Sequence, residues 1–159
     1  MIYTHSYNSP LGRIIVASHE EALIGLWFEG QKFFGTTLCE ASVEKKNTVL
    51  SEAHRWLDLY FSGCRPDFVP PLRLLGTPFQ QKVWQQLLAI PYGATTTYAQ
   101  LALTCHTSAR AIGGAVGRNP ISLIVPCHRV IASDGSLTGY AGGTDRKKAL
   151  LDMEQSLIG

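Results

Sequence analysis

The chain lacks any apolar run approaching the ~20 residues needed to cross a bilayer, which argues against a membrane-spanning helix. It has no basic stretch followed by an apolar core after Met1-Ile2-Tyr3-Thr4-His5, so no export signal is expected and the cytoplasm is the expected compartment. It also lacks Cys-x-x-Cys pairs: Cys39, Cys64, Cys105 and Cys127 are scattered. Structural zinc ligands usually come as closely spaced pairs, so neither a metal nor a disulfide framework is expected. Charge is sparse, at 16% of residues with a net of +2, which alone says little about partners. Residues 1–75 hold seven basic and eight acidic side chains, a net of −1, and residues 76–159 hold seven and four, a net of +3. That excess on the C-terminal half permits contact with nucleic acid without demonstrating it. Repeats and low-complexity tracts are absent. With 45% apolar residues in 159, there is enough to bury the core of one ordinary domain or two small ones.

The first part reads as β-rich. Ile14–Ala17 and Leu23–Phe28 are short apolar runs, separated by turn signals at Ser9-Pro10-Leu11-Gly12 and His19–Ala22, as in a three-stranded meander. Apolar residues at Val49, Leu50, Ala53, Trp56, Leu57, Tyr60 and Phe61 have helical spacing, and Gly63 supplies a stop. Pro66 to Leu75 is Pro-interrupted and holds the expected linker, which divides the chain into residues 1–75 and 76–159. Thr77-Pro78 opens a helix with an N-cap and a Pro at its first position, running to Ile90. Thr97 caps a helix from Tyr98 to Leu103, a tight turn spans Thr104–Thr107, and Ser108–Gly117 forms a second helix, together a helix-turn-helix. Ile121–Val125 reads as a buried strand, and Thr144 or Asp145 caps a last helix to about Leu157.

Chemistry concentrates in Ile124-Val125-Pro126-Cys127-His128-Arg129-Val130. A thiol at the end of a buried strand, on the floor of a pocket and beside an imidazole, points to reaction at sulfur. Positive neighbours favour the thiolate, whereas Cys39, Cys64 and Cys105 read as buried structural cysteines. Position 133, where a cysteine-phosphatase loop needs its Arg, is Ser133. A Cys-His peptidase draws its His from a distant segment. Neighbours on an extended strand point in opposite directions, so a water between Cys127 and His128 is the expected proton relay. Ser108–Gly117 carries three glycines, each costing about 1 kcal/mol in a helix relative to Ala. Either the helix packs tightly on a neighbour, or it presses against another surface such as a DNA groove.

This run, with Gly139-Tyr140-Ala141-Gly142-Gly143 and the earlier Phe-Gln-Gln-x-Val-Trp, Ile-Pro-Tyr-Gly, Thr-Tyr-Ala-Gln-Leu-Ala and Ala-Arg-Ala-Ile-Gly-Gly-Ala segments, resembles the O6-alkylguanine-DNA alkyltransferase family. The match is strong from about Phe79 to Glu154 and looser over residues 1–75. The resemblance implies an α+β two-domain fold: an N-terminal ribonuclease-H-like α/β domain over 1–75, then a C-terminal winged-helix-like helix-turn-helix domain over 76–159. It implies irreversible, stoichiometric transfer of an alkyl group from O6-alkylguanine, with O4-alkylthymine as a second substrate, to Cys127. It implies no organic cofactor, because the DNA is the alkyl donor, and action on duplex DNA with base flipping; the sequence leaves the oligomeric state open, with a monomer as the default expectation.

Residue by residue, the resemblance places His128 and Glu154 behind Cys127, with Asp152 the nearby alternative to Glu154, and gives Asn119 a bracing role that also suits a plain Asn-Pro turn. Tyr98 donates to the guanine and supports base rotation. Arg110 fills the gap left by the flipped base, and Gly113 and Gly114 lie on the helix that enters the minor groove. Tyr140, Val116 and Val130 form the alkyl pocket, Val130 through its backbone. Gln80, Gln81 and Ser133 are candidates for phosphate contact. The turn Thr104-Cys105-His106-Thr107 departs from the family's Gly-containing linker, and a shorter turn is expected to tilt the recognition helix. A non-enzymatic alkylguanine-binding sensor of the same fold is the alternative function, and a generic thiol hydrolase a further one.

Overall fold

The computed structural model describes residues 1–38, 41–137 and 140–158, with the side chains of 157 and 158 left aside. Cys39 and Gly139 lie outside the described residues, as does Thr138.

Three strands form the expected meander: β1 (Ile2–Ser9), β2 (Gly12–Ser18) and β3 (Leu23–Phe28), paired antiparallel in sequence. A fourth, β4 (Ser42–Glu44), adds to β1 in parallel, giving the order β3-β2-β1-β4. It carries no apolar alternation, and all three of its residues are exposed. Helix α1 (Thr48–Phe61) is capped by the Asn47 side chain, which accepts from the Leu50 N–H. Its apolar stripe covers one sheet face, joining Ile14, Val16, Leu26 and Phe28. Ile2, Ala17, Ile24 and Trp27 form a smaller cluster on the other face.

The outer edge of β3 is not left to solvent. The Leu23 N–H donates to Pro71 O (2.7 Å) and Leu23 O accepts from the Arg73 N–H (2.9 Å). Further along, the Leu26 N–H donates to Pro120 O and Leu26 O accepts from the Ser122 N–H, both at 2.9 Å. One edge strand therefore binds the linker and the segment that leads into Cys127, which satisfies its ladder groups and merges both halves into one core.

Helix α2 (Pro78–Leu88) has the expected Thr77 cap and ends at Leu88, two residues before the expected Ile90. Strand β5 (Thr96–Thr97) leads into α3 (Tyr98–Cys105), and α4 (Ala109–Gly117) follows. The turn between them closes without glycine. Helix α3 runs two residues past Leu103, and His106 takes the left-handed C-cap position (φ 54°), donating its N–H to Ala102 O and Leu103 O. Trp84 Nε1–H fastens α2 to α4 through Ala115 O at 2.8 Å.

The expected strand at Ile121–Val125 is not one. Ile121 makes a single bridge to Leu26, and residues 122–124 turn, with Leu123 at φ 70°. The run is apolar because it is engulfed by both halves, a burial that short-range pattern cannot tell from a strand. Cys127–Arg129 then forms one 3₁₀ turn, and β6 (Val130–Ile131) pairs in parallel with β5. Helix α5 (Thr144–Ile158) begins at Thr144 itself, so neither Thr144 nor Asp145 precedes it as a cap. Among the described residues no helix is long and apolar enough to cross a membrane.

Candidate active site

The 3₁₀ turn decides how Cys127, His128 and Arg129 diverge. Asn119 braces the turn's approach: its Nδ2 donates to Val125 O at 2.8 Å and its Oδ1 accepts from the Ile121 N–H at 3.0 Å. Cys127, His128 and Arg129 are all buried, and His128 is fully so.

Glu154, from α5, collects them. Its Oε2 accepts from His128 Nε2 at 2.5 Å and from the Tyr60 hydroxyl at 2.6 Å. Its Oε1 accepts from Arg129 Nε at 2.8 Å and from the Gly93 N–H at 3.1 Å. Burial alone would push this carboxyl up, but hydrogen bonds and charge from His128 and Arg129 outweigh it and hold Glu154 at about 2. The ionised carboxylate accepts every one of these bonds, so Nε2 carries the His128 proton. The other ring nitrogen, Nδ1, is buried without a hydrogen-bond partner among the described residues, and its lone pair is available as a base. Burial also lowers the pKa of His128, against the pull of Glu154. Asp152 is exposed and pairs with Lys148 at 2.6 Å, so it takes no part.

Two expectations about the thiol change. Arg129 turns away from it, to Glu154 and to Ile90 O at 2.8 Å. Burial raises the Cys127 thiol to about 11, against opposing effects from the Asn119 hydrogen bond and the Lys147 charge. The resting sulfur is therefore a protonated thiol rather than a stored thiolate, and its proton has to leave as it reacts. Lys147, on α5, is fully buried and was not singled out from sequence; burial lowers it to about 8, partly offset by the nearby Cys127. Its ammonium lies 5.7 Å from the Tyr98 ring centroid. A Lys one turn into an amphiphilic helix reads as solvated, so periodicity gave no signal for it.

Tyr98, Arg110, Gly113, Ala132 and Ser133 line a cleft of about 510 Å³. The β5–β6 pair sets the start of α3 beside the exit of the Cys127 turn, bringing Tyr98 and Ser133 to one opening. Burial, reinforced by Cys127, raises the Tyr98 phenol and keeps it a donor. A second cleft, about 310 Å³, runs along Gly113, Gly114 and Gly117 to the largely buried Tyr140. A Cβ on Gly142 would come within 2.6 Å of the Tyr140 ring, so glycine there sets the ring's seat. Val116 and Val130 line neither cleft: both are buried in the main core.

The glycines of α4 divide the two readings. A Cβ built on Gly113, Gly114 or Gly117 meets nothing within 4 Å. Tight internal packing therefore does not explain them, while an approaching surface does. Gln80 and Gln81 cap their own helix, Gln80 by accepting from the Thr77 N–H and Gln81 by donating to Gly76 O at 3.1 Å, and neither lines the Tyr98 cleft. Cys105 is buried as expected, whereas Cys64 is exposed at the end of α1.

Residues 78–156 match the family model for the 6-O-methylguanine DNA methyltransferase DNA binding domain, and residues 2–74 match that for its ribonuclease-like domain. The methylated-DNA–protein-cysteine methyltransferase of Mycobacterium leprae is 43% identical over 99% of this chain and 95% of its own. The constitutive enzyme of that name from Bacillus subtilis is 41% identical over 98% and 96%. The structure of Mycobacterium tuberculosis OGT in complex with DNA superposes with a TM-score of 0.87 at 40% identity, covering 98% of this chain and 94% of that one.

Proposed function

The chain belongs to the 6-O-methylguanine DNA methyltransferase family, and on that footing we propose that it repairs DNA by direct reversal, moving the alkyl group of O6-alkylguanine onto Cys127. The observation that carries the assignment of roles is the buried His128–Glu154 pair, its His on the same 3₁₀ turn as the buried Cys127, in a chain whose α4 keeps its glycine face open.

In this reading the lesion is rotated out of the duplex, because the thiol is too deeply buried to meet a stacked base. Arg110, exposed on α4, takes the place of the base, and Gly113 and Gly114 allow the backbone to approach the groove. Ser133 stands at the cleft mouth for phosphate contact; Gln80 and Gln81 are secondary candidates there. His128 Nδ1 takes the thiol proton through a water as Sγ attacks the alkyl carbon. The S–C bond forms while the C–O6 bond breaks, and the electron pair leaves with guanine. Tyr98 donates a hydrogen bond that offsets the charge developing there. Tyr140 bounds the alkyl group, with Val116 and Val130 supporting it from the core. The product thioether has no ready reverse route, so each molecule acts once.

The same reading gives a cytoplasmic monomer acting on duplex DNA, with O4-alkylthymine as a second substrate, residues 1–75 as the supporting domain and 76–159 as the reacting one. Light scattering in solution tests the monomer, and a concentration-independent dimer would overturn it.

The deciding measurement is intact mass after incubation with excess duplex bearing one O6-methylguanine, with Cys127→Ala alongside. A gain of one methylene, mapped to Cys127 and absent from the variant, is the expected result. Tight binding without mass gain would instead support a damage sensor.

A further inference from the structure

The relay receives one member from the other half of the chain. Tyr60 sits in the last turn of α1, on the buried face that covers the sheet. Its ring is clamped: Trp56 stacks on it (5.1 Å between centroids, 9° between planes), while Phe61 and Tyr92 meet it edge-on. Its hydroxyl leaves that apolar cluster to reach Glu154 Oε2 at 2.6 Å, 94 residues along the chain, and lies 3.5 Å from His128 Nε2. A Phe would fill the same apolar space, so the helix has no packing need for the oxygen.

We propose that Tyr60 is a positioning residue of the alkyl-transfer reaction, holding the Glu154 carboxylate in place and setting how strongly that carboxylate draws on His128. The proposal rests on the relay reading above. Two donors converge on Oε2, Tyr60 and His128, and two on Oε1, Arg129 and Gly93. A carboxylate has about four lone-pair sites, so the set is full. Without the phenol, Oε2 keeps His128 as its remaining donor, and an imidazolium beside it forms more easily. The titratable groups that act on His128 are Glu154, Arg129 and Lys147; those that act on Tyr60 are Glu154, Arg129 and Tyr140. Glu154 is ionised above about 2 and Lys147 titrates at about 8, which leaves the acid side of the rate profile to His128.

The test is single-turnover methyl transfer from an O6-methylguanine duplex, followed from about pH 5 to about pH 9 with duplex affinity in parallel. For Tyr60→Phe the acid limb is expected to move up by about half to one pH unit, with the plateau about tenfold slower and affinity within about twofold. Replacing Tyr60 by 3-fluorotyrosine, a stronger donor of the same shape, should move the limb down. Trp56→Phe, which thins the stacking and leaves the hydroxyl, should lower the melting temperature and leave the limb where it is. An NMR titration of the His128 ring should show the same shifts without any DNA. An unmoved limb and midpoint in both Tyr60 variants overturns the proposal, as does an equal shift in Trp56→Phe. If the wild type transfers no methyl group, the alkyl-transfer reading fails, while the ring titration still decides whether Tyr60 governs His128.

Discussion

The Glu154 centre and the outer face of α4 are built on opposite rules. Around Glu154 the polar atoms converge: four donors from three segments meet one carboxylate that is almost wholly buried. Along Gly113, Gly114 and Gly117 the protein supplies nothing, and a side chain there would meet no neighbour. The first region is complete within the protein and gains from low dielectric, where fixed hydrogen bonds hold charges in place. The second gives up helix stability and is completed only by a surface that comes from outside. Chemistry needs the first arrangement and groove binding the second; α4 belongs to the second, with Ala115 and Val116 facing inward to the core and Arg110 facing outward.

The largest way to break the comparison is at its closed end. Glu154→Gln leaves Arg129 and His128 facing a neutral amide, and should cost about 3–5 kcal/mol of stability by chemical denaturation. It should slow methyl transfer at least about 100-fold in single-turnover assays while duplex affinity changes little. Next comes pH. The Glu154 carboxyl is depressed on folding, so its contribution, about 3 kcal/mol, is present above about 4.5 and is lost as pH falls through about 2. His128 is lowered as well, so its share is present above its unfolded value and begins to fade below about 6.5. Melting temperature should therefore fall in acid beginning in the weakly acidic range, and a flat profile down to about pH 4 would contradict the dry relay.

At the open end, Arg110→Ala should leave the melting temperature within about 0.5 kcal/mol equivalent, because the side chain is exposed. Transfer from duplex should fall by about 10–100-fold, while reaction with a free O6-alkylguanine base is unchanged, which isolates base extrusion from chemistry. The smallest effect sharpens the contrast most. Gly114→Ala adds a methyl group into open space on a helix, so stability should rise by about 0.5–1 kcal/mol. Duplex affinity should drop severalfold in a fluorescence titration, and a variant that gained both would show that the open face has no occupant.

Local chemistry was legible where a short segment decides it. The spacing of Val49, Leu50, Ala53, Trp56 and Leu57 sufficed for α1, and Thr77 and Thr97 each cap the helix expected of them. The contact of His128 with Glu154 rather than Asp152 was likewise readable, through resemblance to a family. Engulfed segments misled: Ile121–Val125 has a strand's composition but turns, because its burial comes from two neighbouring bodies rather than from a ladder.

By itself the sequence determined which residues could react, since nucleophile, base and acid are properties of residue types and near neighbours. Only the tertiary structure decided the state in which they wait. It turned Arg129 from the thiol to Glu154, buried Lys147 beside Tyr98, brought Tyr60 across 94 residues to the same carboxylate, and raised the thiol above its ordinary range. Dielectric and hydrogen-bond geometry belong to the space around a residue, and that space is filled by segments far away in the chain.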